Sequence, residues 1–220
     1  MNKLEFYFDC TSPWTYLAFS QIEGIAERTN TQIIWKPLLV GGVFNEVNQA
    51  IYEERAQPNR IKRAYTDLDV MKWADLYGLK IAMPSVFPAR AVELMRGAIV
   101  ALDEGKLSPY AWAAFEAYWS NLKDISRPEV MREIIASADL DPDMVMARIQ
   151  DADVKQRLLD NSRELIVRGG FGSPTMFING DDMYFGNDRL ILVEAALEGR
   201  LSRDIPNIHA AAKRRYNLDT

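Results

Sequence analysis

A serine and a proline stand where a predicted strand gives way to a predicted helix. Ser12 and Pro13 follow the alternating aromatic segment 3–9, and helical spacing of apolar residues then runs over 14–28. A helix N-terminus carries unpaired N–H groups and the positive end of the helix dipole, so it stabilises a thiolate or another anion. In the alternative interpretation, Ser12 only caps the helix and Pro13 only starts it.

Two later segments also place polar groups at the ends of elements. A cis bond between Ser173 and Pro174 would leave the Ser173 N–H and C=O free for a peptide-like ligand, whereas an ordinary proline before a strand is the alternative. Gly186 permits a close approach in front of Asn187 and Asp188, which stand at a predicted helix start. There the N–H groups can take a carboxylate while Asp188 takes an ammonium, although capping alone also explains these residues.

These candidates must be positioned by elements that the apolar spacing predicts in the following order: a strand over 3–9, a helix over 14–28, a strand over 31–36, a long loop or irregular helix over 45–59, five or six helices between 61 and 169, strands over 175–178 and 183–185, and a last helix over 189–197. The first three form a βαβ unit with parallel strands. An α/β fold with a helical domain inserted in its middle explains the pattern. The two α/β parts must meet, because two strands alone make a poor sheet.

Composition excludes several classes of protein. The 220 residues carry 26 basic and 31 acidic side chains, a net charge of −5 with no basic stripe, which does not favour nucleic acid as a partner. One cysteine, Cys10, and one histidine, His209, exclude an intramolecular disulfide, a Cys-rich zinc site and a His-rich metal site. We expect no metal. No apolar run could span a membrane, and the acidic residue in the first six argues against a signal peptide, so we expect a cytoplasmic protein.

Four segments, taken in order, resemble the 2-hydroxychromene-2-carboxylate isomerases and the kappa-class glutathione transferases, which belong to the DsbA-like branch of the thioredoxin superfamily. They are 8–17 (FDCTSPWTYL), 62–65 with 73–78 (KRAY and WADLYG), 171–175 (FGSPT) and 185–190 (FGNDRL). The resemblance implies a thioredoxin-like domain formed by 1–45 and 168–220. An all-helical domain over 46–167 would interrupt it, with the site between the two.

The resemblance also implies a role for the first candidate. Ser12 to Thr15 occupies the place where DsbA-type oxidoreductases carry Cys-x-x-Cys, and neither end is cysteine here, so disulfide exchange is lost. Relatives use the serine to hydrogen-bond the sulfur of bound glutathione, which lowers the thiol pKa from about 8.5 toward neutrality. Ser12 is therefore expected to activate glutathione without being the nucleophile, with Pro13 beside it in the glutathione site.

Other glutathione contacts follow from the same resemblance. The backbone of Ser173, before a cis Pro174, would pair with the cysteinyl unit. Asn187 and Asp188 would hold the γ-glutamyl end. Lys62 matches a lysine that meets a glutathione carboxylate.

The loop asparagine of the family corresponds to Asn48, although an apparent extra stretch precedes Lys62. This chain also departs from the family at three positions. Cys10 stands where relatives usually carry an apolar residue. It is either a small buried hydrophobe at the end of the strand or a second thiol near the site. Arg90 stands where many isomerases carry asparagine, either as a solvated residue at a helix start or as a contact for an acidic second substrate. Ser173 replaces Val or Leu, which would make the pocket wall more polar.

A set of aromatic residues in the helical block also has two interpretations. Trp112, Phe115, Tyr118 and Trp119 follow helical spacing, which favours the core of the helical domain over the wall of an apolar cleft. His209 is given no catalytic role, and the basic run 213–215 is expected to be a solvated end.

The resemblance implies a glutathione-dependent isomerase in which the thiolate adds reversibly to an aromatic, carboxylated electrophile. A kappa-like transferase or peroxidase, in which the adduct is the product, is the alternative within the family. A glutathione-binding protein without turnover and a redox enzyme acting through Cys10 are the alternatives outside it. The family also implies a homodimer.

Overall fold

The computed structural model describes residues 1–201, so His209 and the basic run 213–215 lie outside the described residues. Within 1–201 the chain forms four strands and ten α-helices, whose bounds are β1 Asn2–Phe8, α1 Pro13–Arg28, β2 Thr31–Pro37, α2 Val40–Val47, α3 Ala50–Ala56, α4 Arg60–Leu76, α5 Val92–Asp103, α6 Leu107–Phe115, α7 Pro128–Ser137, α8 Pro142–Arg148, α9 Ala152–Val167, β3 Thr175–Ile178, β4 Asp182–Phe185 and α10 Leu190–Leu197. None of these helices is long and apolar enough to cross a membrane.

The strands form one mixed sheet in the order β2-β1-β3-β4. β1 pairs in parallel with β2, with Phe6 opposite Trp35, and antiparallel with β3, with Phe6 opposite Met176. A hairpin joins β3 to β4. The βαβ unit and the hairpin predicted from the sequence are therefore confirmed, and the two distant α/β segments meet along β1.

The core packs the sheet against α1 through aromatic side chains. The Phe6, Phe8 and Phe19 rings surround that of Trp35 at centroid distances between 5.3 and 6.1 Å. Full burial of one such side chain stabilises the fold by roughly 1.5–3 kcal/mol. Alternation along β1 directs the Phe6 and Phe8 rings to the α1 face, because successive side chains point to opposite sides of a sheet.

The inserted helices continue the same core. Phe115, at the end of α6, stacks on Tyr16 of α1 at 5.3 Å between centroids. Phe115, Tyr118 and Trp119 are buried and Trp112 packs against their cluster, so the assignment of this set to the core is confirmed. The α/β fold with helices inserted between β2 and β3 is confirmed as well. The division into 1–45 with 168–220 and 46–167 stays a prediction.

Two segments differ from the sequence-based expectation. The stretch 45–59 was predicted as a loop or irregular helix, but α2 begins earlier, at Val40, and the short helix α3 follows. A π-helical turn, Glu116–Ser120, continues α6. It carries Trp119, whose Nε1 donates a hydrogen bond to the Cys10 carbonyl at 3.0 Å. This bond ties the helical insertion to the loop that follows β1.

Candidate active site

A cleft of about 1340 Å³ opens at the carboxyl end of β1. Its walls come from the start of α1, from α2 to α4, from the segment before α5 and from the segments that flank the β3–β4 hairpin. All eight residues that the sequence and the resemblance predicted for the site line this cleft: Ser12, Pro13, Asn48, Lys62, Ser173, Pro174, Asn187 and Asp188.

Ser12 is the N-cap of α1 and faces the loop before β3. Its Oγ accepts a hydrogen bond from the Thr15 N–H at 3.3 Å and donates one to the Ser173 carbonyl oxygen at 3.1 Å. The bond between Ser173 and Pro174 is cis, as predicted. The capping interpretation of Ser12 is therefore correct, and the cap also leaves a hydroxyl beside the helix N-terminus at the cleft wall.

In the described part of the chain, the backbone N–H of Ser173 is free to bind a ligand, whereas its side-chain hydroxyl is hydrogen-bonded within the protein. Within residues 1–201 its N–H makes no hydrogen bond. Its Oγ accepts from the Asp9 N–H at 3.0 Å and lies 2.8 Å from Thr15 Oγ1. The expected polar pocket wall is thus only partly realised, because this hydroxyl is already engaged with buried groups at the junction of β1 and α1.

Asp9 fixes the shape of the cleft floor, a role that the sequence analysis missed. Its buried carboxylate accepts from the Thr11 N–H at 2.8 Å, the Thr11 hydroxyl at 2.7 Å and the Val40 N–H at 2.8 Å. Burial raises the pKa of Asp9, and these hydrogen bonds offset part of the rise. An acidic residue at the end of an otherwise aromatic strand was the signal that could have found it.

Asn187 is a buried amide in a short 3₁₀ turn before α10. Only 1% of the residue is exposed, and its side-chain Oδ1 and Nδ2 make no hydrogen bond of ordinary geometry within residues 1–201. The Tyr77 hydroxyl lies nearby: burial raises the pKa of Tyr77, and the Asn187 amide offsets part of that rise. Asp188 pairs with the neighbouring Arg189. Gly186 has a φ of 99°, a conformation that glycine adopts without steric cost.

The two remaining predicted contacts come from the other wall. Lys62, near the start of α4, holds Glu54 of α3 in an exposed ion pair at 2.8 Å. Asn48 is the C-cap residue that follows α2, and its Nδ2 lies 3.4 Å from the Phe171 carbonyl oxygen, in the loop that also carries Ser173. Both side chains reach the same cleft, so the extra stretch before Lys62 does not remove either residue from it.

Cys10 is a buried hydrophobe. It is fully inaccessible, and burial, followed by the Asp9 carboxylate, raises the pKa of its thiol well above the ordinary value. A thiol in such surroundings is a poor nucleophile, which argues against redox chemistry at Cys10. Within residues 1–201, no three His, Cys, Asp or Glu side chains come together as metal ligands.

Two arginines also line the cleft. Arg90 is exposed and lies two residues before α5, so it is both a residue near a helix start and a residue of the cleft wall. Arg55 of α3 was not anticipated, because it belongs to the stretch predicted as irregular. Its guanidinium lies 5.6 Å from the centroid of the Phe87 ring, next to a second cis bond between Phe87 and Pro88.

The sheet order, the helix that Ser12 caps and the cis proline facing it define a thioredoxin-like fold, as the resemblance implied. The chain belongs to the family of DSBA-like thioredoxin domains, whose model matches residues 3–198.

Among its relatives is the 2-hydroxychromene-2-carboxylate isomerase of Pseudomonas putida, 28% identical over 91% of this chain and 96% of that protein. The glutathione S-transferase kappa 2 of Caenorhabditis elegans is 27% identical over 85% of this chain and 88% of that protein. A solved structure of a 2-hydroxychromene-2-carboxylate isomerase shares the fold, with a TM-score of 0.76, 23% identity and coverage of 99% and 100% of the two chains. The predicted relationship to these isomerases and transferases, and with it the prediction of an enzyme, is confirmed.

Proposed function

We propose that this protein is a glutathione-dependent isomerase in which Ser12 stabilises the glutathione thiolate. The observation that carries the proposal is the position of the Ser12 hydroxyl, at the N-cap of α1 and 3.1 Å from the carbonyl of the residue before cis-Pro174. A sulfur placed there would meet a hydroxyl donor and the positive end of a 16-residue helix. The relationship to the isomerases and transferases supports the same assignment.

The polar groups of the cleft fit the peptide character of glutathione. The Ser173 N–H and C=O can pair with the cysteinyl unit as an added strand would. The Asn187 amide, buried without a hydrogen bond of ordinary geometry in the described part of the chain, suits the γ-glutamyl end with Asp188 beside it. Lys62 would take a glutathione carboxylate, and Pro13 and Asn48 would complete the walls. A buried amide whose hydrogen-bonding capacity is not fully used costs free energy, which a bound ligand recovers.

Binding would exchange hydrogen bonds at Ser12. The hydroxyl now donates to the Ser173 carbonyl; with glutathione bound, it would donate to the sulfur, and the cysteinyl N–H would replace it at that carbonyl. Hydrogen bonds to a charged group are worth about 1.5–3 kcal/mol, enough to lower a thiol pKa by about 1–2 units. Ser12 would thus favour the thiolate at neutral pH.

The thiolate then adds to the electrophilic carbon of a conjugated double bond. The new C–S bond forms as the π electron pair moves onto the conjugated carbonyl, which leaves a single bond about which the substrate rotates. Return of the electron pair expels the thiolate, so glutathione is regenerated and the product is an isomer. An aromatic, carboxylated substrate is the one that the relatives' name supports.

A kappa-like transferase or peroxidase is the second candidate, supported by the relative from Caenorhabditis elegans. The two activities differ in their balance of glutathione. An isomerase leaves the thiol concentration unchanged over many turnovers, whereas a transferase consumes one thiol per product. Quantifying free thiol during turnover distinguishes them. The homodimer and the cytoplasmic location stay predictions.

Calorimetric titration with reduced glutathione, in buffers of different ionisation enthalpy at neutral pH, tests the proposal. Saturable binding with proton release is expected, because the bound thiol ionises. Binding without proton release would instead indicate a glutathione-binding protein that does not activate the thiol. Absence of binding would contradict any glutathione-dependent function.

A further inference from the structure

Two arginines, Arg55 of α3 and Arg90 of the segment before α5, line the cleft. Arg55 lies over two rings, 5.7 Å from the centroid of Phe44 and 5.6 Å from that of Phe87. Arg90 follows Phe87 by three residues and lines the same cleft. The charge of Arg55 also reaches Tyr118, whose hydroxyl accepts a hydrogen bond from the Ala89 N–H. The Arg55 guanidinium therefore lies against the segment 87–90, of which Arg90 is the last residue.

Arg55 and Arg90 differ from the other basic residues of the cleft, each of which forms an ion pair with a carboxylate. Lys62 pairs with Glu54, Arg63 with Asp67 and Arg189 with Asp188. Within residues 1–201, neither Arg55 nor Arg90 forms an ion pair with a carboxylate. An acidic ligand that contacts these two arginines would not have to displace another carboxylate, and guanidinium is the cation best suited to bidentate carboxylate binding.

The segment 87–90, which carries Arg90 and contacts Arg55, is connected to the Ser12 loop through Trp119. The Phe87 ring packs on Trp119 with 6.0 Å between centroids, and Trp119 donates its hydrogen bond to the Cys10 carbonyl. The same wall exposes apolar side chains to the cleft, among them Ile81, Met83 and Phe87. A ligand with one end at Ser12 and an acidic end at Arg90 would therefore lie along an apolar surface.

We propose that Arg90, assisted by Arg55, selects second substrates that carry an acidic group on an apolar body. The proposal rests on the proposed function, since the ligand's other end is the electrophilic carbon that glutathione attacks. Arg90 would bind the carboxylate directly. Arg55, held between Phe44 and Phe87, would add a second positive charge to the same part of the wall. The pair is a specificity determinant with no part in activating the thiol.

Two S-substituted glutathiones test the inference without requiring turnover. S-(4-carboxybenzyl)glutathione and S-benzylglutathione differ only in the carboxylate, and their affinities can be compared by calorimetry together with that of glutathione itself. We expect the wild type to favour the carboxylated compound by about tenfold, as a charge-assisted contact in a partly exposed site should. In the Arg55→Gln/Arg90→Gln double variant the ratio should fall to about one, with glutathione affinity unchanged.

Arg63→Gln is the matched control, because Arg63 also lines the cleft but already pairs with Asp67. It should keep the wild-type preference, and Arg90→Lys should keep part of it. Equal affinity of the wild type for both compounds, or a preference that survives the double variant, would overturn the inference while the glutathione site stands. Failure of glutathione and of both compounds to bind would overturn the proposed function and this inference together.

Discussion

The hydroxyl of Ser12 donates a hydrogen bond to the carbonyl oxygen of Ser173, 161 residues further along the chain. This bond joins the start of α1 to the cis peptide before β3. The Ser12 hydroxyl and the Ser173 carbonyl, which would both bind the cysteinyl unit of glutathione, are therefore hydrogen-bonded to each other when no ligand is bound. A ligand thiolate can exchange with this bond at little net cost, because the carbonyl gains the ligand's N–H when it loses the hydroxyl.

Replacement of Asn187 by leucine should separate stability from binding. The amide is buried without a hydrogen bond of ordinary geometry in the described chain, so Asn187→Leu should raise the free energy of unfolding by about 1 kcal/mol. Glutathione affinity should fall at least tenfold, since the amide would bind the γ-glutamyl end. Denaturant unfolding and calorimetry measure the two quantities.

Asn161→Leu is the control for that substitution, because the Asn161 amide already donates to the Pro37 carbonyl at 2.8 Å. It should lower stability and leave glutathione binding unchanged. A loss of stability in Asn187→Leu with unchanged affinity would assign Asn187 a purely structural role.

The ion pair between Lys62 and Glu54 should compete with glutathione. Because both side chains are about half exposed or more, the pair is weak, and Glu54→Gln should tighten glutathione binding only about twofold to fivefold. Lys62→Met should weaken binding by a similar factor, and both effects should shrink as salt is added. Unchanged affinity in both variants would remove Lys62 from the site.

The buried carboxylate of Asp9 should impose a pH dependence on stability. Its pKa is raised in the folded protein, so the folded state favours the protonated form. The resulting stability is fully present below the unfolded pKa of about 3.8 and is lost as the pH rises through the folded pKa. The free energy of unfolding of the wild type minus that of Asp9→Asn should therefore decrease with rising pH over that window and become constant above it.

Asp103 and Glu164 have lowered pKa values in the folded protein, so their contributions to stability change with pH in the opposite direction. Both contributions are present in the wild type and in Asp9→Asn, so they cancel when the free energy of unfolding of one protein is subtracted from that of the other. A difference between the wild type and Asp9→Asn that rises with pH would contradict the assigned direction.

Trp119→Phe should destabilise the link between the helical insertion and the Ser12 loop. The phenyl ring retains most of the packing but leaves the Cys10 carbonyl without its 3.0 Å hydrogen bond, at a cost of about 1–3 kcal/mol. Trp112→Phe removes no hydrogen bond of the described structure, so it should lower the free energy of unfolding by less than Trp119→Phe does. Thermal or denaturant unfolding measures both, and equal losses would show that this bond contributes nothing measurable.

Sequence patterns predicted the elements and groups that local chemistry specifies. Alternation indicated β1, the Ser12-Pro13 pair indicated the start of α1, and the turn 179–182 indicated the hairpin. Each of these signals lies within a few residues of the element that it predicts. The meeting of the two distant α/β parts was expected because two strands alone make a poor sheet.

The rest of the site depends on contacts that no local pattern encodes. Ser173 Oγ accepts a hydrogen bond from the N–H of Asp9, which lies 164 positions earlier in the chain. Arg55 contacts the Phe87 ring from a short helix that has no buried residue. The sequence therefore indicated which residue types were available, and tertiary packing determined which of them share the cleft.

The pKa of the glutathione thiol in the complex is the measurement that tests the central claim most directly. It is obtained from the ultraviolet absorbance of the thiolate as a function of pH, for the wild type and Ser12→Ala, with Ser20→Ala as a control on the same helix. We expect a pKa near neutrality in the wild type and in Ser20→Ala, and a value about 1–2 units higher in Ser12→Ala. The same pKa in all three proteins would contradict stabilisation of the thiolate by Ser12.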